Sequence, residues 1–458
     1  MTPPDLSSKR RVHLVGIGGA GMSAIATVLV GMGHDVSGSD LREGTALERL
    51  RALGVDVAVG HEKRNVTDAE LVAISSAVSE HNVEVQAAIE RGIPVYRRAE
   101  LLAAICALRR TVAVSGTHGK TTTTSMLALI LSEAGLSPSF VVGGDVNELG
   151  ANAAWDEGEW LVVEADESDG TFLELPREIV IVTNVEPDHL DYYGSFDALK
   201  NAFSSFVDGA RTVVVSADDT VTAGISASDR ITFGFSPSAD VRITHFSPTR
   251  SATRFSIEHA GRPIEIALPV PGGHNARNAA GAAAAAIAVG VDDSAISRAL
   301  ARFGGVARRF EFRGELNGAV VVDDYAHLPS EVKAAVDTAR AGDFERIVCV
   351  FQPHRYSRVA EIGEDFSDAF VGTDVLFVTG IYSAGETPIP GVSGERIFDA
   401  VRAAHPTLLA RYLPDRQQLL DVLRETLAEG DCCLVLGAGD TPELSSELVA
   451  SNNQKSAS

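Results

Sequence analysis

The chain has 458 residues, 45% apolar and 22% charged, with 62 acidic against 39 basic side chains and a net charge of −23. That length exceeds one ordinary domain and predicts two or three, and the composition excludes a disordered or fibrous chain. The acidic balance argues against a nucleic-acid partner or an anionic-membrane surface, though a locally positive pocket can still hold a phosphate. No run approaches the ~20 apolar residues of a membrane span, so no membrane insertion is expected. The start is polar through Arg11 and lacks the apolar core of a signal segment. The cysteines Cys106, Cys349, Cys432 and Cys433 have no metal-ligand spacing, which fits a reducing cytoplasm.

In chain order, the first apolar strand is Arg11–Val15, followed by Gly16-Ile17-Gly18-Gly19-Ala20-Gly21 and a helical stretch from Met22. This is a dinucleotide fingerprint, with Asp40 nineteen residues past Gly21, beyond a second strand at 35–38. Taken alone it points to NAD or FAD. The same loop can cradle the diphosphate of a UDP-sugar, with Asp40 near the uridine, and both readings stay open. Ser75 and Ser76 follow the strand Leu71–Ile74. They either line the same crevice or cap a helix. Arg97 and Arg98 are either phosphate contacts or a solvated charge pair. A boundary is expected near 107–110.

The second strand–turn–helix unit runs from 111–114 through Ser115-Gly116-Thr117-His118-Gly119-Lys120-Thr121-Thr122. Glycines let backbone N–H groups approach phosphate oxygens at a helix N-terminus. Lys120 can neutralise the β and γ phosphates, and the Thr121 hydroxyl can ligate Mg²⁺. The general eight-residue motif wants glycine at 114, where Val114 stands. A short strand at 160–163 ends at Glu164-Ala165-Asp166-Glu167-Ser168-Asp169, and another at 179–183 leads to Asn184-Val185-Glu186-Pro187-Asp188-His189. Carboxylates at strand ends point into the ligand crevice of a parallel sheet. Mg²⁺ prefers oxygen ligands, so Glu164 is the expected partner of Thr121. His189 is an unusual Mg²⁺ ligand, and alone it reads more often as a surface or capping histidine.

Residues 242–271 alternate apolar and polar, predicting antiparallel strands, and 279–291 reads as a buried alanine-rich helix. A third unit begins at 319–322, continues through Asp323-Asp324-Tyr325-Ala326-His327 and enters a helix near 329–339. The second boundary is expected near 310–314. The polar stretch 451–458 reads as unstructured. The alternation of strands and helices predicts an α/β chain with parallel sheets covered on both faces. Together the three phosphate-binding and acidic strand ends make a nucleotide site without separating kinase, ATPase and ligase.

The segments G-T-H-G-K-T-T, E-A-D-E-S-D, T-N-V-E-P-D-H-L-D and Gly273-His274-Asn275-Ala276-Arg277-Asn278 resemble those of the Mur ligases. Those enzymes build the peptide of bacterial cell-wall precursors. The Gly16–Gly21 turn, Asp323-Asp324-Tyr325-Ala326-His327 and Phe351-Gln352-Pro353-His354-Arg355-Tyr356-Ser357-Arg358 look like the branch that takes UDP-N-acetylmuramate and L-alanine. The resemblance spans nearly the whole chain. It implies an N-terminal Rossmann-like UDP-binding domain (1–108), a central P-loop-type ATPase with a mixed sheet (109–312), and a C-terminal Rossmann-like domain that closes on ATP and the amino acid (313–458). It implies ATP and Mg²⁺, an acyl-phosphate intermediate, and a monomer or homodimer.

Carried over by position, Gly16, Gly18, Gly19, Gly21, Asp40, Ser75 and Ser76 fall to the UDP substrate. Gly116, Thr117, His118, Gly119, Lys120, Thr121 and Thr122 fall to ATP. Asn275, Asn278, Arg309, Asp324 and His327 are the further nucleotide contacts that the resemblance implies. Thr121, Glu164 and His189 look like metal ligands, and Lys120, Glu164, His189 and Arg309 like the catalytic set. His354, Arg355 and Arg358 match residues near the incoming amino acid.

Three positions depart from the family pattern. Ser204 stands where several members have a carbamylated lysine, and Lys200 is out of register, so no carbamate is expected. Leu328 follows His327 where relatives often have a second histidine, and Gly273 replaces a more usual basic residue. Two alternatives remain: a Mur-type ligase recycling a murein tripeptide, whose first turn typically begins Gly-Ile-Cys-Gly-Thr, and an NAD-dependent oxidoreductase fused to an ATP-binding module.

Overall fold

The computed structural model describes residues 3–146 and 149–455. The chain divides into two compact units, Met1–His245 with Phe255–Ile266 and Arg277–Gly304, and Phe246–Arg254 with Ala267–Ala276 and Gly305–Ser458. Among the described residues, the strands form three sheets of five, ten and six strands. Among the described residues, no helix is long and apolar enough to cross a membrane.

The first sheet belongs to β1 (Arg11–Val15), α1 (Ala20–Gly31), β2 (Asp35–Asp40), α2 (Thr45–Ala52), β3 (Asp56–Val59), β4 (Leu71–Ile74), α3 (Val83–Glu90), β5 (Val95–Arg97) and α4 (Arg98–Cys106). Its order is β3-β2-β1-β4-β5, parallel throughout. The strand order reverses between β1 and β4. Ligands of such sheets bind outside the carboxyl ends of the strands at this reversal. The glycine turn after β1 and Ser75 after β4 stand there. β2 runs two residues further than 35–38, so Asp40 is its last residue.

The ten-stranded sheet follows from β6 (Arg110–Ser115), α5 (Lys120–Glu133), β7 (Ser139–Val146), β8 (Ala151–Ala154), β9 (Trp160–Glu164), β10 (Ile179–Val182), α6 (Leu190–Tyr193) and α7 (Phe196–Val207). It continues with β11 (Thr212–Ser216), α8 (Thr220–Ala223), β12 (Arg230–Gly234), β13 (Val241–Pro248), β14 (Thr253–His259), β15 (Arg262–Leu268), α9 (Gly273–Val289) and α10 (Asp293–Arg302). The order is β15-β14-β13-β12-β11-β10-β6-β9-β7-β8. β6 lies parallel between β9 and β10, which brings three carboxyl-end loops side by side. Val112, Ala113 and Val114 are fully buried, as the apolar run predicts for a central parallel strand. β14 and β15 are joined by Ala260 and Gly261 alone. A two-residue connection requires an antiparallel hairpin, as expected for this region. The sheet is therefore mixed.

Two packing details fix the walls of this sheet. On α9, Ala279, Ala280 and Ala282 to Ala286 are buried, and a Cβ on Gly281 would lie 3.0 Å from the Phe233 ring. Small side chains are what let this helix lie so close to β12. Phe172 stacks on Phe206 at 4.8 Å and meets Phe203 edge-on at 5.4 Å. Such ring pairs add ~0.5–1.5 kcal/mol beyond area burial. They anchor the chain just after the E-A-D-E-S-D segment.

The six-stranded sheet comprises β16 (Glu311–Leu316), β17 (Ala319–Asp324), α11 (Pro329–Arg340), β18 (Arg346–Phe351), α12 (Tyr356–Ile362), β19 (Val375–Val378), α13 (Glu395–Ala404), β20 (Leu409–Tyr412), α14 (Arg416–Thr426), β21 (Asp431–Leu436) and α15 (Thr441–Lys455). Its order is β16-β17-β21-β18-β19-β20, antiparallel only between β16 and β17. β16 begins at Glu311, so Glu311 and Phe312 pair in this sheet. The tail read as unstructured is helical through Lys455, and 456–458 lie outside the described residues. α15 packs on the sheet through Leu444 and Leu448, whose spacing the polar tail disguises.

Candidate active site

The phosphate turn is built from its neighbours on β9 and β10. Gly116 has φ +131° and Gly119 φ +80°. A Cβ on Gly116 would lie 2.1 Å from Thr183 Oγ1, and one on Gly119 would lie 2.3 Å from Asn278 Oδ1. Both positions therefore need glycine for space as well as for backbone freedom. Asn278 is thereby placed against the turn. Thr122, on the first turn of α5, is buried.

Residues just beyond β10 brace the turn. The amide side chain of Asn184 accepts from His118 N at 2.9 Å and donates to His118 O at 3.0 Å. Thr183 Oγ1 donates to the same carbonyl at 2.5 Å, and Glu186 N donates to Thr117 Oγ1 at 2.9 Å. The His118 ring lies 3.3 Å from the Glu186 carboxylate. Thr183, Asn184 and Glu186 were not among the sequence candidates. They fall in the T-N-V-E-P-D-H-L-D segment, which carries the family resemblance without assigning these three a role.

Lys120 Nζ donates to Gly116 O and to Glu167 Oε1, each at 2.8 Å. Burial opposes its charge, but Glu167, Asp166 and Glu164 outweigh burial and hold the ammonium above the ordinary lysine range. Glu167 is almost fully buried, and the Tyr193 hydroxyl donates to its carbonyl at 2.6 Å. Glu167, within the E-A-D-E-S-D segment, is thus a fourth residue outside the sequence candidates.

The Thr121 hydroxyl donates to Glu164 Oε1 at 3.1 Å, and Gly143 N donates to Glu164 Oε2 at 2.7 Å. Burial pushes the Glu164 carboxyl up, while Lys120 pulls against it. Burial also raises Asp166, but there Lys120 and Ser168 prevail and hold it below the usual aspartate value. Among the described residues, no three His, Cys, Asp or Glu side chains form a metal-holding group. Two converging protein oxygens still fit Mg²⁺, which keeps several waters and is commonly bound through one or two side chains plus substrate phosphates.

His189 takes the left-handed conformation at φ +55°, and its Nε2 lies 3.3 Å from Asp188 Oδ2. The structure thus joins Thr121 to Glu164 and pairs His189 with Asp188. Ser204 is exposed on α7 and donates to Lys200 O at 3.0 Å. Lys200 itself pairs with Asp197 at 2.5 Å.

In the first sheet the glycine turn is tied to the end of β2. Ser39 O accepts from Gly16 N at 2.8 Å and Ile17 N at 3.0 Å, and Asp40 Oδ2 accepts from Gly18 N at 2.9 Å. A Cβ on Gly18 would lie 2.9 Å from that carboxylate oxygen. Asp40 therefore shapes the turn itself. Gly19 closes it, donating to Gly16 O at 3.4 Å. Ser75 Oγ accepts from Ala77 N at 3.4 Å within its own turn, and Ser76 is exposed. The cap of α3 is Asn82, which accepts from Glu84 N at 2.9 Å, so neither serine caps that helix. Arg97 is a solvated partner of Glu174 and Glu100. Arg98 is different: a Cβ on Gly21 would lie 3.0 Å from its Nη1, and its Nη2 lies 3.6 Å from Asp169. It joins the glycine turn to the E-A-D-E-S-D segment.

The remaining candidates lie in the other unit. Asn275 is buried and donates to Pro271 O at 2.7 Å. Asp324 accepts from Phe310 N at 2.7 Å and Ala326 N at 2.8 Å. Burial pushes this carboxyl up to about 6, against the pull of Arg309. Arg308 and Phe310 are both left-handed, at φ +62° and +50°. Arg308 donates to Gly437 O at 2.8 Å and Gly439 O at 3.1 Å, while Arg309 lies over the Tyr325 ring at 5.1 Å. Arg309 thus keeps its guanidinium beside the D-D-Y-A-H turn, and Arg308 locks that turn's neighbours.

His327 Nδ1 lies 3.0 Å from Tyr325 O, and its ring is 5.7 Å from that of His354. His354 stacks on Tyr382 at 5.8 Å, with its Nδ1 3.2 Å from Arg358 Nη1. Burial, helped by His327, Arg358 and Arg355, lowers His354 to about 4, so its ring is neutral at ordinary pH. Arg355 holds the turn into α12 at φ +66°. Leu328, where relatives often have histidine, is buried.

Comparison with known proteins follows the same three parts. Family models match residues 11–110 (Mur ligase family, catalytic domain), 114–286 (Mur ligase middle domain) and 308–439 (Mur ligase, glutamate ligase domain). The UDP-N-acetylmuramate–L-alanine ligase of Rhizobium meliloti (strain 1021) is 45% identical over 443 residues, covering 93% of this chain and 94% of that protein. The chain belongs to the Mur ligase family. The ligase of the same name from Geobacter sp. (strain M21) is also 45% identical, covering 96% and 97% of the two chains. Among solved structures, the UDP-N-acetylmuramate–alanine ligase of Thermotoga maritima superposes with a TM-score of 0.81 at 31% identity, covering 98% of this chain and 100% of that one. A murein peptide ligase from Psychrobacter arcticus shares the fold, with a TM-score of 0.69 at 22% identity. As a Mur ligase, the chain is ATP-dependent, and the glycine turn after β6 stands between the ends of β9 and β10 in the mixed sheet.

Proposed function

We propose that this Mur ligase joins L-alanine to UDP-N-acetylmuramate, with cleavage of ATP to ADP and phosphate, in bacterial peptidoglycan precursor synthesis in the cytoplasm. The observation that carries it is the preformed phosphate turn, with Lys120 buried among Gly116 O and Glu167 and with Thr121 meeting Glu164. The likeness to alanine-adding ligases over 93% of the chain supports the substrates.

The roles follow from position. The turn holding Gly16, Gly18, Gly19 and Gly21, with Asp40, Ser75 and Ser76, takes the UDP moiety on 1–108. Gly116 to Thr122 and Asn278 take ATP on 109–312. Asn275, Arg309, Asp324 and His327 are further ATP residues, and His354, Arg355 and Arg358 take the amino acid on 313–458. Thr121 and Glu164, with His189 on the next strand end, would hold Mg²⁺. That ion would supply charge neutralisation on the phosphates.

A lactyl carboxylate oxygen attacks the γ-phosphorus, and ADP leaves. The alanine nitrogen then attacks the acyl carbon and loses a proton, and phosphate departs with that carboxylate oxygen. Phosphoryl transfer depends on fixed cations facing developing charge, which is the place Lys120 occupies. An uncharged His354 beside Arg358 offers alanine a neutral wall next to a partner for its carboxylate.

Phosphate release tests this on the purified protein with ATP, Mg²⁺, UDP-N-acetylmuramate and a panel of amines. Release should require both the UDP-sugar and an amino acid. Alanine should exceed glycine by ~10-fold or more, since one methyl is worth ~1–3 kcal/mol in a shaped pocket. Release without any amino acid would sink the ligase assignment. A faster rate with a murein tripeptide would replace it with the recycling reaction.

A further inference from the structure

Glu84, at the start of α3, is fully buried. It accepts from Ser39 Oγ at 2.5 Å, Asn65 Nδ2 at 2.5 Å and Glu62 N at 3.1 Å. His61 Nδ1 and His13 Nε2 stand 3.3 and 3.5 Å from its Oε2. Burial pushes this carboxyl up, yet these partners hold it down to about 2. A buried charge is costly to keep unless its hydrogen bonds are complete, so a purely space-filling role would favour an apolar side chain here.

The tie to Ser39 gives this carboxylate its consequence. Ser39 O receives Gly16 N and Ile17 N, and the next residue, Asp40, receives Gly18 N. One dipeptide at the end of β2 thus orients three N–H groups of the glycine turn, directly before α1. Glu84 fastens the side chain of that dipeptide's first member, and through Asn65 and Glu62 it fastens the chain following β3 as well. We infer that Glu84 is a positioning residue for the nucleotide-sugar, setting the glycine turn through Ser39 without touching the substrate. The inference rests on the proposed UDP-N-acetylmuramate site.

Steady-state kinetics on the full chain test it with Glu84→Gln and Ser39→Ala. The second variant is the milder, because it removes only the hydroxyl and leaves the carbonyl that holds the turn. Each should raise KM for UDP-N-acetylmuramate by ~10-fold or more, with kcat and the KM values for ATP and alanine within ~2-fold. The double variant should add nothing further, as for residues acting through one contact. A merely structural role would lower the active fraction, and so kcat, at unchanged KM. That pattern, or an unmoved KM in Ser39→Ala, overturns the inference. Wild-type protein that releases no phosphate with UDP-N-acetylmuramate would remove the substrate assignment itself, a distinct result.

Discussion

Lys120→Ala is expected to lower the rate of ADP formation by on the order of 10³-fold, because a fixed cation on the transferring phosphate is lost. The same change should also weaken the fold. Lys120 and Glu167 form a nearly buried ion pair at 2.8 Å, with Asp166 and Glu164 close enough to act on the same ammonium. Removing one partner of such a pair typically costs ~3–5 kcal/mol, most of it from the charge left behind. Adding Glu167→Gln to Lys120→Ala should therefore recover most of the lost stability in urea unfolding and none of the activity. That separation distinguishes a catalytic lysine from a structural one. Full activity in Lys120→Ala would remove the phosphate-turn assignment.

Gly116→Ala has the second largest expected effect, and it acts by collision rather than charge. The new methyl would lie 2.1 Å from Thr183 Oγ1 and 2.9 Å from Asn184 O, at φ +131°. Since β10 is fixed in register against β6, with Ile181 opposite Val114, the strand cannot simply slide away. A loss of ~3 kcal/mol or more is expected, together with near-complete loss of ATP turnover. Combining it with Thr183→Ala should relieve only part of this, because the Asn184 carbonyl and the backbone conformation remain. Gly33→Ala is the control, with φ +88° and open space around it. It should cost ~1–2 kcal/mol for the left-handed conformation alone and leave turnover unchanged.

Much of this site was legible because it is local. The turns after β1 and β6 announce themselves as a strand, glycines and a helix within a dozen residues. The partnership of Thr121 with Glu164 followed from Mg²⁺ chemistry and strand-end placement, and the structure puts their oxygens 3.1 Å apart. Val114 looked like a defect in the phosphate motif. It is still strand, paired with Glu164 on one side and Ile181 on the other, so the glycine-dependent turn begins only at Gly116.

What stayed hidden depends on sheet order. Nothing near position 184 says that its amide will pair with the backbone of His118, sixty-six residues earlier. Asp40, read as lying near the uridine, also holds Gly18 N, because β2 lies beside β1 in register. Arg97 and Arg98 are adjacent and chemically alike, yet only Arg98 turns toward Gly21, since it opens α4 while Arg97 ends β5. The tail was misread because its apolar contacts, Leu444 and Leu448, precede the polar residues that dominate its composition.

The most direct test of acyl-phosphate chemistry is to follow oxygen from the substrate carboxylate. UDP-N-acetylmuramate labelled with ¹⁸O in the lactyl carboxylate is incubated with ATP, alanine and the enzyme, and the released phosphate is analysed by mass. The proposed route predicts one ¹⁸O in each phosphate formed, because the oxygen that attacks the γ-phosphorus leaves with it. Phosphate without label, formed alongside the alanine adduct, would contradict it.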